Sequence, residues 1–336
     1  MNKTTSISSK DVAKAAGVSQ ATVSYVLNNV PGIKIKPETK AAVILAAKKL
    51  NYHPNLIARS MRLKKSMSIG IVSDKNVSNF MFMRVLEGIK DVLIPRNYSI
   101  TLCFDKSPDI ENAEHIKYFN SNRIDGIIFA FANVTEEHCS FLLTNNIPFV
   151  IIQANLSTET VNLVKTDMTN ALQAAVTYLW RKDITQIAYL GDNAGNVTDR
   201  RFIGYQKALA SFELPPDDQI WFKPPSNEEF LEKYFSETFW PLRSIPRAII
   251  CETNNLGFHL LRYAAKSGIK VPLDLAVIAI GTTKYSRMTY PALSTIESPL
   301  YEMGVTGCEM LFNNIQENLT NSVVVLEWAF VPRESC

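Results

Sequence analysis

Histidine is scarce in this chain and cysteine is scattered. Four histidines (His53, His115, His138, His259) and five cysteines (Cys103, Cys139, Cys251, Cys308, Cys336) are spread over 336 residues. No CxxC pair occurs, no histidine stands at metal-ligand spacing from another or from a cysteine pair, and His138 beside Cys139 is mere adjacency. The pattern argues against a zinc module and a disulfide framework and fits free structural thiols in a reducing compartment, so no metal and no cofactor is expected. No uncharged apolar run approaches the roughly 18 residues that a membrane helix needs. The opening MNKTTSISSK has neither an apolar core nor a small-residue cleavage site. These absences predict a soluble, cytoplasmic protein without a membrane partner. A GxxxxGK[ST] phosphate loop, a GxGxxG after the first strand and a GxSxG elbow are missing as well, so no catalytic residue is assigned.

Acidic residues are missing from one region in particular. Residues 1–65 hold twelve Lys and Arg against only Asp11 and Glu38, whereas the rest of the chain carries more acidic than basic groups. A basic head on an acidic body suits a polyanion-binding module joined to a domain that does not bind polyanions. A merely solubilising basic tail is the plainer alternative, but such a tail would lack helix caps and apolar spacing. The length and a hydrophobic share of 46% allow two or three domains.

The head has both caps and spacing. Ser8 with Asp11 three places on forms a capping-box pattern, after which Val12, Ala15 and Ala16 recur at helical spacing until Gly17 stops the helix. Ser19 can cap a second helix in which Ala21, Val23, Val26 and Leu27 form a narrow apolar stripe, leaving Gln20, Thr22, Ser24 and Tyr25 for other faces. A third helix starts at Pro37 and runs through ETKAAVILAAKKL, supplying the core that two short helices lack. A short helix, tight turn and second helix on a basic background is the helix-turn-helix arrangement, whose second helix enters the major groove of DNA.

From Ser66 onward, short Val- and Ile-rich runs (SIGIVS, SITLCF, DGIIFAFA, PFVIIQA, QIAYLGD, RAIICE, LAVIAIG) alternate with amphipathic stretches such as 80–95 and 168–181. This is the pattern of parallel sheets with crossover helices, and the strands are too many for one ordinary unit, so two lobes are expected.

The segments DVAKAAGVSQATVSYVLN, LNYHPNLIARSMR, IAYLGD, RRFIGYQKAL, AIICETNN, VPLDLAVIAI, PALSTI and the closing PRES follow one another in an order that resembles the bacterial lac repressor family, LacI/GalR, over nearly the whole chain. The resemblance implies an all-α helix-turn-helix domain at 1–52, a hinge helix and linker at 53–65, and at 66–336 a two-lobed α/β domain of the periplasmic-binding-protein type, with the chain crossing between lobes three times. It places Gln20, Ala21 and Tyr25 where the family reads base edges. Ser19, Thr22, Ser24, Asn28, Tyr52 and Asn55 fall where it contacts phosphates, which suits groups that hydrogen-bond phosphate oxygens. Tyr25 departs from the pattern, since many members have Arg there; packing against the helix after Pro37 is the alternative role. Lys36 stands where a Ser often caps, and Pro37 offsets part of that loss.

The resemblance also makes PNLIARSMR a hinge helix, too short to hold alone, that folds on DNA beside its dimer mate. Ala58 and Met61 belong to its DNA-facing side, with Met61 at the position of the family's minor-groove wedge and Arg59, Arg62, Lys64 and Lys65 toward phosphates. In the cleft between lobes it points to Arg201 as the effector-contacting residue, Phe82 as a stacking residue, and Gln153, Asn254 and Gly281 at three positions that are often acidic in sugar-binding relatives. The loss of those carboxylates would leave Arg201 uncompensated and favour an anionic metabolite. Asp199 or Asp167 are the alternative partners that would cancel it. The reading as a whole is a homodimeric regulator, a repressor by expectation, on double-stranded, pseudo-palindromic operator DNA and under a small-molecule effector (a sugar, a sugar phosphate or another metabolite). A free-standing solute-binding protein or an enzyme on the same two lobes is the alternative, disfavoured by the basic head and the missing export and catalytic motifs.

Overall fold

The computed structural model describes residues 7–27, 32–52, 65–104, 110–153, 160–214, 221–225, 227–238, 246–317 and 321–336. They form two compact units, Met1–Met67 and Ser68–Cys336.

The first unit is built on α1 (Ser9–Ala16), α2 (Gln20–Leu27) and α3 (Pro37–Lys49). Asp11 accepts hydrogen bonds from the Ser8 N–H at 2.8 Å and the Ser8 hydroxyl at 2.7 Å, which fixes the first turn of α1 and holds the Asp11 carboxyl below its usual range. Gly17 ends the helix at φ 65°, ψ 33°, a left-handed conformation that glycine adopts without a Cβ penalty. The Ser19 hydroxyl then accepts from the Thr22 N–H at 3.1 Å and caps α2. Val12, Ala13, Val23, Val26, Val43, Ala46 and Ala47 make the shared core. The helical stripes are therefore narrower than expected: Ala13 takes the buried place assigned to Ala15, and Ala21 is exposed. Lys36 offers no side-chain cap to α3, which begins at Pro37.

The second unit holds two six-stranded sheets. The first combines β1 (Ser68–Val72), β2 (Ser99–Cys103), β3 (Ile127–Ala130), β4 (Phe149–Ile152), β5 (Leu163–Asp167) and β11 (Val323–Glu327) in the order β11-β5-β4-β3-β1-β2, every pairing parallel. The second combines β6 (Ile187–Leu190), β7 (Trp221–Phe222), β8 (Ala248–Cys251), β9 (Ala276–Ile280), β10 (Ser294–Glu297) and β12 (Ala329–Val331) in the order β12-β10-β9-β8-β6-β7. Its edge strand β12 runs antiparallel to β10, a departure from the purely parallel expectation.

Successive residues of one strand face opposite cores, as a strand's two-residue period requires: Ile128 and Ala130 lie in one buried cluster, Ile127 and Phe129 in another. Helices cover both faces of both sheets. In the first lobe these are α4 (Phe80–Leu93), α5 (Glu114–Asn120), α6 (Glu136–Thr144) and α11 (Leu300–Glu317); in the second they are α7 (Thr169–Trp180), α8 (Arg200–Ala210), α9 (Leu231–Thr238) and α10 (Asn254–Lys266). At their crossing, α4 and α11 approach so closely that a Cβ on Gly88 would stand 2.1 Å from the Tyr301 carbonyl oxygen, and one on Gly304 would stand 2.0 Å from that of Val85. All five cysteines are free and buried; desolvation pushes the Cys308 thiol up to about 12.

The chain passes between lobes after β5, after β10 and between β11 and β12. Two of these passages are tied together, since the Trp328 N–H donates to the Asp167 carbonyl at 2.8 Å and Asn170 Nδ2 donates to Glu327 at 3.2 Å. At the third, the Thr282 hydroxyl accepts from the Ser298 N–H at 2.7 Å. Both sheets thus end their strands toward the same inter-lobe region, where open α/β sheets gather ligands.

Candidate functional site

The head presents one face of α2. Val23 and Val26 point into the core, so the helical period turns Gln20, Ala21 and Tyr25 outward, and all three are exposed. Tyr25 is 38% exposed and stands outside the core cluster. Gln20 Nε2 donates to the Ser9 hydroxyl at 2.7 Å, anchoring its amide beside the start of α1. Ser19 and Thr22 share a hydroxyl contact of 2.9 Å in addition to the cap. Thr22, Ser24 and Tyr52 are half-buried, and Tyr52 packs against the core of the head. No acidic side chain lies on α2. Asn28, Asn55, Ala58 and Met61, and with them Arg59, Arg62, Lys64 and nearly all of the expected hinge, lie outside the described residues.

In the body, Arg201 stands in the first turn of α8. Asp199 caps that helix, its carboxylate accepting from the Arg201 N–H at 2.9 Å and the Phe202 N–H at 3.1 Å. The guanidinium itself pairs with neither Asp199 nor Asp167, which is engaged by the Thr169 N–H at 2.8 Å and hydroxyl at 2.7 Å. Its partner is Glu252, at the carboxyl end of β8, with Arg201 Nη1 3.3 Å from Glu252 Oε1. The expectation of an uncompensated arginine is therefore corrected. The carboxylate is present, but at a position outside the three that the family resemblance singles out.

Glu252 is well fixed. Its side chain is 5% exposed, while that of Arg201 is 38% exposed. The Asn193 N–H donates to Oε2 at 2.9 Å and Asn193 Nδ2 to Oε1 at 2.7 Å. Room for the carboxylate comes from Gly191, whose added Cβ would lie 2.2 Å from Oε2. The Tyr189 phenol is raised well above its usual range, first by burial and then by the negative charge of Glu252. A buried acid held by two amide donors and a half-exposed arginine is a preorganised polar site rather than a surface ion pair.

Asn254 and Gly281 are neighbours, since a Cβ on Gly281 would come 2.7 Å from Asn254 Nδ2, and Asn254 Oδ1 is buried without a hydrogen-bond partner. Gln153 sits at the end of β4 with φ 59° and accepts from the Thr166 hydroxyl at 2.9 Å. Phe82 corrects its expected stacking role: capped by Asn79 in the first turn of α4, its ring is 3% exposed and belongs to the first lobe's core with Ile69, Ile71 and Val85. Among the described residues no group of three or more His, Cys, Asp or Glu could hold a metal ion, and no helix is long and apolar enough to cross a membrane.

Comparison with known proteins agrees with this layout. Residues 9–55 match the profile of bacterial regulatory proteins of the lacI family, and residues 176–336 match that of a periplasmic binding protein-like domain. Catabolite control protein A of Staphylococcus epidermidis is 30% identical over 320 residues, covering 94% of this chain and 95% of that protein. The HTH-type transcriptional regulator RegA of Clostridium acetobutylicum is 31% identical, covering 97% of this chain and 98% of its own length. Among solved structures, the lac repressor dimer bound to operator and the anti-inducer ONPF shares the fold, with a TM-score of 0.74 at 21% identity over 98% of this chain and 99% of that one. An exposed recognition face on a basic three-helix head, a two-lobed body and relatives of this identity over nearly full length lead to one assignment: the chain belongs to the lacI family of bacterial regulatory proteins and is a DNA-binding transcriptional regulator.

Proposed function

We propose that this regulator acts as a homodimeric repressor that reads a pseudo-palindromic operator with α2 and releases or holds it according to a small molecule bound between the lobes. The observation that carries the reading is the outward face of α2, with Gln20, Ala21 and Tyr25 exposed on a helix whose opposite side is locked into the core. In this reading Gln20, Ala21 and Tyr25 meet base edges, Ser19, Thr22, Ser24, Asn28, Tyr52 and Asn55 set the register on phosphates, Met61 enters the minor groove as the apolar wedge, and Ala58 contacts DNA beside it. Arg201, Gln153, Asn254 and Gly281 line the effector side. The protein works in the cytoplasm, without cofactor and without an enzymatic step.

Selecting bound fragments from the source genome tests it. The full chain should enrich one two-fold related site, and Tyr25→Ala should cost about 1–3 kcal/mol of discrimination at one base pair in each half-site while leaving binding to random DNA nearly unchanged. Enrichment of no site, or an identical site preference in Tyr25→Ala and Gln20→Ala, would overturn the assignment.

A further inference from the structure

We infer that Ser9, on the helix before the recognition helix, is a positioning residue for base readout: it holds the Gln20 amide in one orientation, and in that orientation Gln20 reads adenine. This rests on the reading of Gln20 as a base-contacting residue. A glutamine amide has two unlike ends, an oxygen that accepts and a nitrogen with two donors. Its terminal torsion is broad and nearly two-fold, so an unheld amide turns over at little cost and presents either end to a base. Such a side chain discriminates poorly. Here Gln20 Nε2 donates to the Ser9 hydroxyl at 2.7 Å, which engages one N–H and leaves Oε1 and the second N–H for the outward face.

An acceptor beside a donor in one plane matches a single major-groove edge. Adenine offers the N6 amino group next to the N7 acceptor, whereas guanine shows two acceptors, cytosine a donor, and thymine an acceptor and a methyl group. The reversed amide, with Oε1 on Ser9, would leave two N–H groups outward and suit guanine instead. The support for the observed orientation is built into the fold. Ser9 opens α1 and Gln20 opens α2, so the contact joins the starts of two helices. The first turn of α1 is fixed by Ser8 and Asp11, which leaves the Ser9 hydroxyl out of that capping box, and the first turn of α2 is fixed by Ser19. Val12 and Val23 lock the two helices into the shared core. Ser9 is half-buried and Gln20 exposed, so the hydroxyl belongs to the support and the amide to the reading face. When DNA displaces water from that face, the lower local dielectric strengthens the bond between them.

A random-sequence double-stranded DNA pool is the probe. The full chain selects from it, and the bound fraction is sequenced for wild type, Gln20→Ala, Ser9→Ala, Ser9→Thr, Ser9→Val and Ser9→Ala/Gln20→Ala. Gln20→Ala should flatten the preference at one base pair in each half-site, and wild type should select adenine there. Ser9→Ala and Ser9→Val should weaken that adenine preference about fivefold, the worth of one net hydrogen bond. Ser9→Thr, which has the shape of valine and keeps the hydroxyl, should retain it. The double variant should match Gln20→Ala alone, since Ser9 acts through the amide. A merely structural Ser9 would lower binding at all positions alike and leave the preference at the Gln20 base pair unchanged, and that result overturns the inference. So does guanine, cytosine or thymine at that pair in wild type, or equal flattening by Ser9→Thr and Ser9→Val. The underlying reading of α2 fails by a different sign: Gln20→Ala would then alter the preference at no base pair, and the inference would fall with it.

Discussion

Glu252 shows where residue-level reading of the sequence stops. Its letter closes the strand segment RAIICE, and nothing in periodicity distinguishes an acid that ends a strand in solvent from one folded back beneath a neighbouring loop. What settles it is the tertiary approach of the Gly191–Asn193 turn, which supplies both the space and the donors. By contrast, the outward set of Gln20 and Tyr25 was legible, because a buried Val23 and Val26 fix the phase of a helix by themselves. The turn also gives a residue-scale prediction. Gly191→Ala places a Cβ 2.2 Å from Glu252 Oε2 and 2.4 Å from its Cβ, so overpacking should cost about 1–3 kcal/mol, read from denaturant melts of the chain. In Gly191→Ala/Glu252→Gly every clashing side-chain atom is gone, and the double variant should lose less stability than the sum of the two single losses. Strict additivity would mean that the two residues do not press on each other.

At the scale of elements, what was readable depended on whether a strand is buried on both faces. Strands such as β1 and β9 are wholly buried and read as continuous apolar runs, so their existence was plain. The sequence of β5, LVKTD, ends in charge and β10, STIE, is short and polar, so both escape a search for apolar runs, whereas β11, VVVLE, is apolar in sequence but lies at a sheet edge with no residue fully buried. Helix contacts were equally silent, since the glycines that let α4 and α11 touch stand among ordinary helical letters. Their role is testable. Gly88→Ala drives a Cβ against the Tyr301 carbonyl oxygen at 2.1 Å and the Val305 nitrogen at 3.0 Å, both backbone atoms that cannot swing away. It should destabilise the first lobe by about 3 kcal/mol or more. Gly307→Ala is the control on α11, because its nearest obstacle is the Ile152 side chain at 2.7 Å, which can change rotamer. Equal losses from the two substitutions, measured by chemical denaturation, would show that backbone contact at the α4–α11 crossing is not what those glycines serve.

At the scale of the whole molecule, charge and compactness divide the chain at nearly the same place. The basic excess ends at Lys65, and the compact units meet between Met67 and Ser68. The two sides have separate cores, one of seven buried residues shared by α1, α2 and α3, the others clustered about the two sheets. Among the described residues each unit has buried clusters of its own, so the body should fold without the head. Affinity for a polyanion, on the other hand, follows net positive charge and counterion release, and the body as a whole is acidic. Deleting residues 1–65 should therefore leave a folded body with the full chain's ligand response and no measurable operator binding. The intact regulator should lose operator affinity steeply as salt rises, with a log–log slope near the number of phosphates its head and hinge neutralise. Band-shift titrations of both forms between about 50 and 200 mM salt make the comparison. A truncated body that retained operator binding, or an intact protein whose affinity ignored salt, would place DNA recognition outside the basic head.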